Sequence, residues 1–214
     1  MPLIKIKNLT KKYHRKTIFQ NYNIDIPENK FIVIRGVSGA GKTTLLNIIG
    51  MLEDYDDGEY YLFDALAPLV NSRKAVLYRR QDISYLFQNF ALIEEDSVEK
   101  NLELSLSYVK ISAKQKRIKM RQALADVNLS HSLKTKVYSL SGGEKQKVAL
   151  AQVLLKDSKL ILADEPTGSL DEKNRNEILA LLKKETQKGK TVVVVSHDPV
   201  IVCQADEVIE IGKD

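Results

Sequence analysis

The segment Gly36-Val37-Ser38-Gly39-Ala40-Gly41-Lys42-Thr43 interleaves three glycines with small residues and ends in a lysine and a hydroxyl residue. Glycines at these positions let a backbone wrap tightly, so that successive N–H groups point at the same phosphate oxygens. A helix beginning where the loop ends adds a dipole that favours negative charge. Lys42 then reaches the β- and γ-phosphates, Thr43 offers its hydroxyl to Mg²⁺, and Thr44 completes the stretch. This pattern is the chemistry of ATP or GTP binding; a flexible glycine turn would not require the Lys-Thr ending.

A second group lies at Leu160-Ile161-Leu162-Ala163-Asp164-Glu165-Pro166. An apolar strand ending in Asp places a carboxylate at the carboxyl edge of a sheet, where ligands of open α/β sheets bind. Asp164 is the expected Mg²⁺ partner, directly or through water. Glu165 is suited to polarising an attacking water as a general base. Alone, such a pair is commonly a solvated turn; beside a phosphate loop it reads as catalytic.

The elements needed to position these groups are legible. Phe31-Ile32-Val33-Ile34 is too continuously apolar for a half-exposed strand and suits a parallel sheet covered on both faces. Thr43–Leu52 is helix-compatible, and Leu160–Ala163 and Thr191–Val195 are further buried strands flanking a helical pattern over Asn174–Lys184. The first 30 residues read as short strands joined by turns, with Ile18–Ile26 β-compatible and a turn at Pro27-Glu28-Asn29. From about Ser97 to Lys156 strand signals fade and amphipathic patterns take over, with Met120, Ala123, Leu124 and Val127 on one helical face. This predicts one α/β domain over 1–214, its core formed by 1–96 and 157–214 and a helical subdomain by 97–156.

The 214 residues are 43% hydrophobic and 29% charged, an ordinary globular balance that excludes disorder and fibrous repeats. No apolar run approaches the roughly 18 residues of a membrane-spanning helix, and the N-terminus lacks the apolar core of a signal peptide. A single cysteine, Cys203, precludes an internal disulfide and fits a reducing compartment. The net charge of +5 permits nucleic acid, anionic membrane or phosphate partners without choosing among them. The basic run Lys114, Lys116, Arg117, Lys119 and Arg121 suits nucleic acid or lipid headgroups, and equally a solvated outer helix face.

The run Leu140-Ser141-Gly142-Gly143-Glu144-Lys145-Gln146 resembles the signature of ABC-type ATPases. The order of elements matches that family across nearly the whole chain: phosphate loop, Gln88 in Leu86-Phe87-Gln88, signature, Asp164-Glu165, Ser169-Leu170-Asp171, and His197 in Val195-Ser196-His197-Asp198. The resemblance implies the ABC ATPase fold: a P-loop NTPase core with a mostly parallel sheet, an N-terminal antiparallel β subdomain and an inserted helical subdomain. It implies a nucleotide sandwich in which Ser141, Gly142, Gly143 and Glu144 of one copy complete the ATP site of a second copy. It further implies that Tyr13 stacks on adenine, that Gln88 links metal and attacking water to the membrane partner, and that Asp171 contacts the opposing subunit. His197 is implied as the switch histidine that bonds the γ-phosphate. His14 and His131 have no such context and are expected on the solvated surface.

Glu144 and the run to Gly168 resemble the branch of macrolide-export, lipoprotein-release and cell-division ATPases. Lys147 and Gln152 depart from it where arginine is usual, which implies weaker contacts along the signature helix. Tyr85–Ile93 and Val98–Leu102, together with Pro166–Asp171, look like ATPases of bacteriocin or antimicrobial-peptide export, which implies a peptide or related hydrophobic substrate as cargo. The implied protein is an ATP- and Mg²⁺-dependent subunit at the cytoplasmic face of a membrane, working with a permease and a second copy of itself, with no nucleic acid partner expected. A signalling ATPase of the cell-division type and a soluble ABC ATPase acting on nucleic acid are the alternatives.

Overall fold

The computed structural model describes residues 2–168 and 170–212. The chain begins with a long hairpin, β1 (Pro2–Tyr13) and β2 (Lys16–Pro27), followed by β3 (Phe31–Gly36) and α1 (Lys42–Ile49). Next come β4 (Asp57–Leu62), β5 (Ala65–Leu66), α2 (Arg73–Gln81) and β6 (Ile83–Leu86). A helical stretch follows, with α3 (Val98–Ser105), α4 (Ala113–Asp126), a 3₁₀ turn over Val137–Ser139 and α5 (Gly142–Leu155). The chain then alternates through β7 (Leu160–Asp164), α6 (Glu172–Gln187), β8 (Thr191–Val195), α7 (Pro199–Val202) and β9 (Glu207–Ile211).

Two sheets result. Strands β2-β1-β4-β5 pair antiparallel, and β6-β7-β8-β3-β9 form a parallel sheet. The apolar strands are the centre of the parallel sheet because both their faces are covered. Phe31 and Val33 pack with α5 and α6, while Ile32 and Ile34 point to the other face and pack with α1 and the antiparallel sheet. Strand β8 divides in the same way, Val192 and Val194 to one side, Val193 and Val195 to the other.

The N-terminal strands are not short, as expected, but twelve residues each. Their register slips between Ile6 and Leu9 and again before Lys11, and Asn8 and Asn21 adopt positive φ, 52° and 51°. Bulges of this kind interrupt the period-two alternation, so one continuous strand looks in sequence like several. Helix α1 stops at Ile49, three residues before the expected Leu52, where Gly50 caps it and Met51 turns to φ 54°. In the helical stretch Met120, Ala123, Leu124 and Val127 are all buried, as their spacing requires.

A buried asparagine pins the segment that joins β6 to this helical stretch. Asn101 on α3 is fully buried; its Oδ1 accepts from Ile93 N at 2.8 Å, and its Nδ2 donates to Ile93 O and Ser97 O, both at 3.0 Å. From α5, Gln152 donates to the Asn101 carbonyl at 2.7 Å. Leucine fits the apolar surroundings of Asn101 but supplies none of these bonds. Asn101→Leu is expected to lower stability by about 2 kcal/mol, a fall in Tm of roughly 4–8 °C for a domain of this size. Thermal and urea unfolding with an unchanged m-value check this.

Candidate active site

Parallel pairing brings three strand ends together. Asp164 at the end of β7 lies opposite Val195 of β8, and Val195 lies opposite Ile34 of β3. The loops leaving β3, β7 and β8 therefore open side by side at the carboxyl edge of the sheet.

The loop after β3 needs its glycines. A Cβ on Gly36 would sit 2.3 Å from the Ile211 carbonyl oxygen of the adjacent strand β9. Gly41 precedes α1 at φ 93°, and a Cβ there would lie 2.4 Å from Ile18 and 2.9 Å from Phe19. Val37, Ser38 and Gly39 are exposed at the rim, with Ala40 N donating to Val37 O at 3.2 Å. The Lys42 ammonium curls back over the loop and donates to the carbonyls of Gly36 (2.8 Å) and Val37 (3.0 Å). The cation is thereby held above the loop in which phosphate oxygens would lie.

Asp164 is buried, 5% exposed, and its Oδ1 has no hydrogen-bond partner. Burial pushes its carboxyl up; the Thr43 side chain opposes the rise, Glu165 adds to it and the Lys42 charge lowers it. Glu165 occupies the left-handed region at φ 43°, a conformation that costs a non-glycine residue about 1 kcal/mol or more. Its Oε1 lies 2.8 Å from His197 Nδ1. Lys42, Gln88, Glu165 and His197 share a cavity of about 480 Å³ with Gly36 and Ser38.

The signature residues do not gather there. Gly142 and Gln146 line this cavity, while Ser141, Gly143 and Glu144 line a smaller one of about 180 Å³. Ser141 is the N-cap of α5 and forms a capping box with Glu144: Ser141 N donates to Glu144 Oε2 at 2.8 Å, and the Ser141 hydroxyl donates to the same oxygen at 2.8 Å. The other Glu144 oxygen meets His131 Nε2 at 2.6 Å. His131 is exposed as expected, but it is a partner of the signature rather than a solvated bystander. His14 is exposed at φ 51° in the hairpin turn.

Tyr13 stands apart from the cavity, beside the start of α1. Its hydroxyl bonds Glu53 and lies 3.5 Å from Thr44 Oγ1, and the Lys11 ammonium sits 4.7 Å from the ring centroid. The residue is 41% exposed. Asp171 is the N-cap of α6, accepting from Asn174 N at 2.9 Å and from Asn174 Nδ2 at 2.6 Å; these bonds hold its carboxyl below the usual range. Ser169 lies outside the described residues. Lys147 forms an ion pair with Glu177 at 2.9 Å, one contact where a guanidinium could make two.

Sequence reasoning left Gln146 without a role. It is 3% exposed and donates to Pro166 O at 2.8 Å, tying the signature helix to the turn after Asp164-Glu165. Its place in the signature run was visible, but its partner twenty positions away was not.

A sequence profile of the ABC transporter family matches residues 19–168. The chain belongs to that family. A macrolide export ATP-binding/permease protein, MacB of Campylobacter jejuni, is 37% identical over 98% of this chain. This chain spans 33% of that protein's length. The uncharacterised ABC transporter ATP-binding protein YvrO of Bacillus subtilis is 36% identical, with 97% of this chain and 92% of YvrO covered. Among solved structures, the ATP-binding cassette MJ0796, captured as a post-hydrolysis dimer with ADP and Pi, superposes with a TM-score of 0.90 at 35% identity. The overlap covers 97% of this chain and 94% of that one. The ABC ATPase fold expected from the motifs is the fold observed, and the chain carries the ATP-hydrolysing domain of its family.

In this ABC ATPase, Glu144 is pulled down to about 2 by its bonds to His131 and to Ser141. Its folded pKa lies below the ordinary 4.5, so its contribution to stability is present above pH 4.5 and is lost as pH falls toward 2. Glu144→Gln keeps the capping geometry without the charge. Acid titration of Tm is expected to show a component between pH 4.5 and 2 in the wild type that is missing in the variant.

Proposed function

We propose that this ATPase drives an exporter, and that its working unit is two copies closed over two ATP molecules. The observation that carries the reading is the division of the machinery. Lys42, Gln88, Glu165 and His197 share one cavity, whereas Ser141, Gly143 and Glu144 face another. One copy thus leaves a phosphate shell incomplete, and a second copy's α5 N-terminus supplies hydroxyl and N–H donors to close it.

The loop N–H groups of Gly36–Thr43 hold the phosphates, and Lys42 leaves its own loop carbonyls for the γ-phosphate. Thr43, Asp164 and Gln88 are hard oxygen donors suited to Mg²⁺, and the unpaired Asp164 Oδ1 supports that fit. When bound, Mg²⁺ neutralises charge on the β- and γ-phosphates. Glu165 accepts the proton of the attacking water, and His197, braced at 2.8 Å, orients the carboxylate and steadies charge on the γ-phosphate. Tyr13 stacks on adenine, and Asp171 meets the opposing copy near its phosphate loop. The γ-phosphate favours the closed pair because only there do both copies contact it.

The chain acts as one domain, with 97–156 as the helical subdomain that conveys closure to a permease at the cytoplasmic face of the membrane. A groove of about 360 Å³ between the α/β core and the helical stretch, lined by Tyr85, Phe87, Phe90, Leu104 and Tyr108, offers aromatic surface for the partner. The MacB relatives are named for macrolide export. The resemblance of Tyr85–Ile93 and Val98–Leu102 to bacteriocin exporters favours an amphipathic peptide as cargo.

Glu165→Gln is expected to bind ATP, to turn it over about 100-fold or more slower, and to accumulate an ATP-stabilised dimer on size-exclusion chromatography with light scattering. Lys42→Ala is expected to lose nucleotide affinity and form no such dimer. Near-normal turnover in Glu165→Gln would remove the base assignment. ATP-dependent movement of an amphipathic peptide into vesicles carrying the reconstituted permease complex tests the export reading.

A further inference from the structure

A second cavity is larger than the one at the phosphate loop. A space of about 800 Å³ opens between α4 and the segment 128–134, and it shares no lining residue with the cavity at the phosphate loop. Its volume is within the range of pockets that hold metabolite-sized ligands.

The lining has two parts. Leu124, Leu129 and Leu133, all buried, give it an apolar floor. Arg117, Arg121 and Lys134 bring positive charge to its wall and His131 an imidazole, against one carboxylate, Glu99. Glu99 is taken up by Arg117, whose Nε lies 2.6 Å from Glu99 Oε1. His131 is taken up by Glu144. Among the described residues, Arg121 and Lys134 have no carboxylate partner, so two cations face the cavity uncompensated. The hydroxyls of Ser130 and Ser132 add neutral polar groups at the same wall.

An inorganic anion would leave the leucine floor uncovered, and a neutral apolar molecule would leave the two cations unpaired. A polyanionic surface would meet the exposed cations but could not reach the concave floor. We propose that this cavity binds an amphipathic organic anion, its carboxylate or phosphate on Arg121 and Lys134 and its apolar body over Leu124, Leu129 and Leu133.

The site also has a way to act on the motor. The segment Asn128–His131 lines both this cavity and the smaller one beneath the signature. His131 reaches across that wall to Glu144, which holds the Ser141 hydroxyl. A ligand anion that draws His131 toward itself loosens Glu144 and frees the Ser141 hydroxyl for phosphate. The binding proposal goes beyond the exporter reading and does not depend on it, whereas this effect on the signature rests on the two-copy reading.

The test uses three probes of one shape: 2-naphthoate, 2-naphthyl phosphate and the neutral 2-naphthamide. Each is titrated by calorimetry into the full chain with saturating ADP present, so that the phosphate loop is occupied. Both anions are expected to bind with Kd below about 1 mM, and the amide about tenfold weaker or worse, a difference of about 1.4 kcal/mol. The double variant Arg121→Ser/Lys134→Ser is expected to weaken the anions about tenfold without changing amide binding. Leu129→Ala is expected to weaken all three, and melting curves establish that each variant folds. Tighter binding of the phosphate assigns phosphate esters; tighter binding of the carboxylate assigns carboxylic acids. No binding by either anion, equal binding of acid and amide, or wild-type affinity in a folded double variant would overturn the proposal.

Discussion

Everything at the ATP site depends on the hydrogen bonding of β8 between β3 and β7. Val195 faces Ile34 on one side and Asp164 on the other, so one residue aligns the phosphate loop, the acidic pair and His197. A parallel ladder allows this because all its strands end at the same edge, whereas an antiparallel pair would send one of the loops to the far side. Register is secure here because the strands are buried on both faces. A one-residue slip of β8 would exchange its two sets of valines between two different cores.

That rigid edge allows the site to hold arrangements that would not persist alone. Asp164 keeps an unpaired buried oxygen, Glu165 keeps a positive φ, and Lys42 is folded onto its own loop. Each is unfavourable or neutral by itself, and the packed edge of the sheet holds it in place. The two carboxylates are thus set by the fold itself, and groups fixed in this way need little reorganisation during a reaction.

What could be read from the sequence follows this physics. The strands β3, β7 and β8 are continuous apolar runs because two faces are buried, and the phosphate loop is local chemistry written in consecutive residues. The hairpin reads in sequence as short pieces because bulges near Asn8 and Asn21 break its alternation. Gln146 and His131 could not be given roles, since their partners, Pro166 and Glu144, come close only through folding. Asn101 is similar: within a resemblance motif it is simply a polar residue, and only the fold shows it stapling Ile93 and Ser97. Chemistry carried by contiguous residues was legible; chemistry carried by a pair separated in the chain was not.

Those long-range pairs show how a signal could pass between signature and sheet. Helix α5 begins at the capping box of Ser141 and Glu144, is tied to the catalytic turn by Gln146 and Pro166, and is tied to α3 by Gln152 and the Asn101 carbonyl. Asn101 in turn holds Ile93, in the segment that leaves Gln88 and Phe90. A rotation of α5 would therefore act on Pro166 and on the Gln88 segment together. Helix α5 is thus tied both to the acidic turn and to the segment that leaves Gln88.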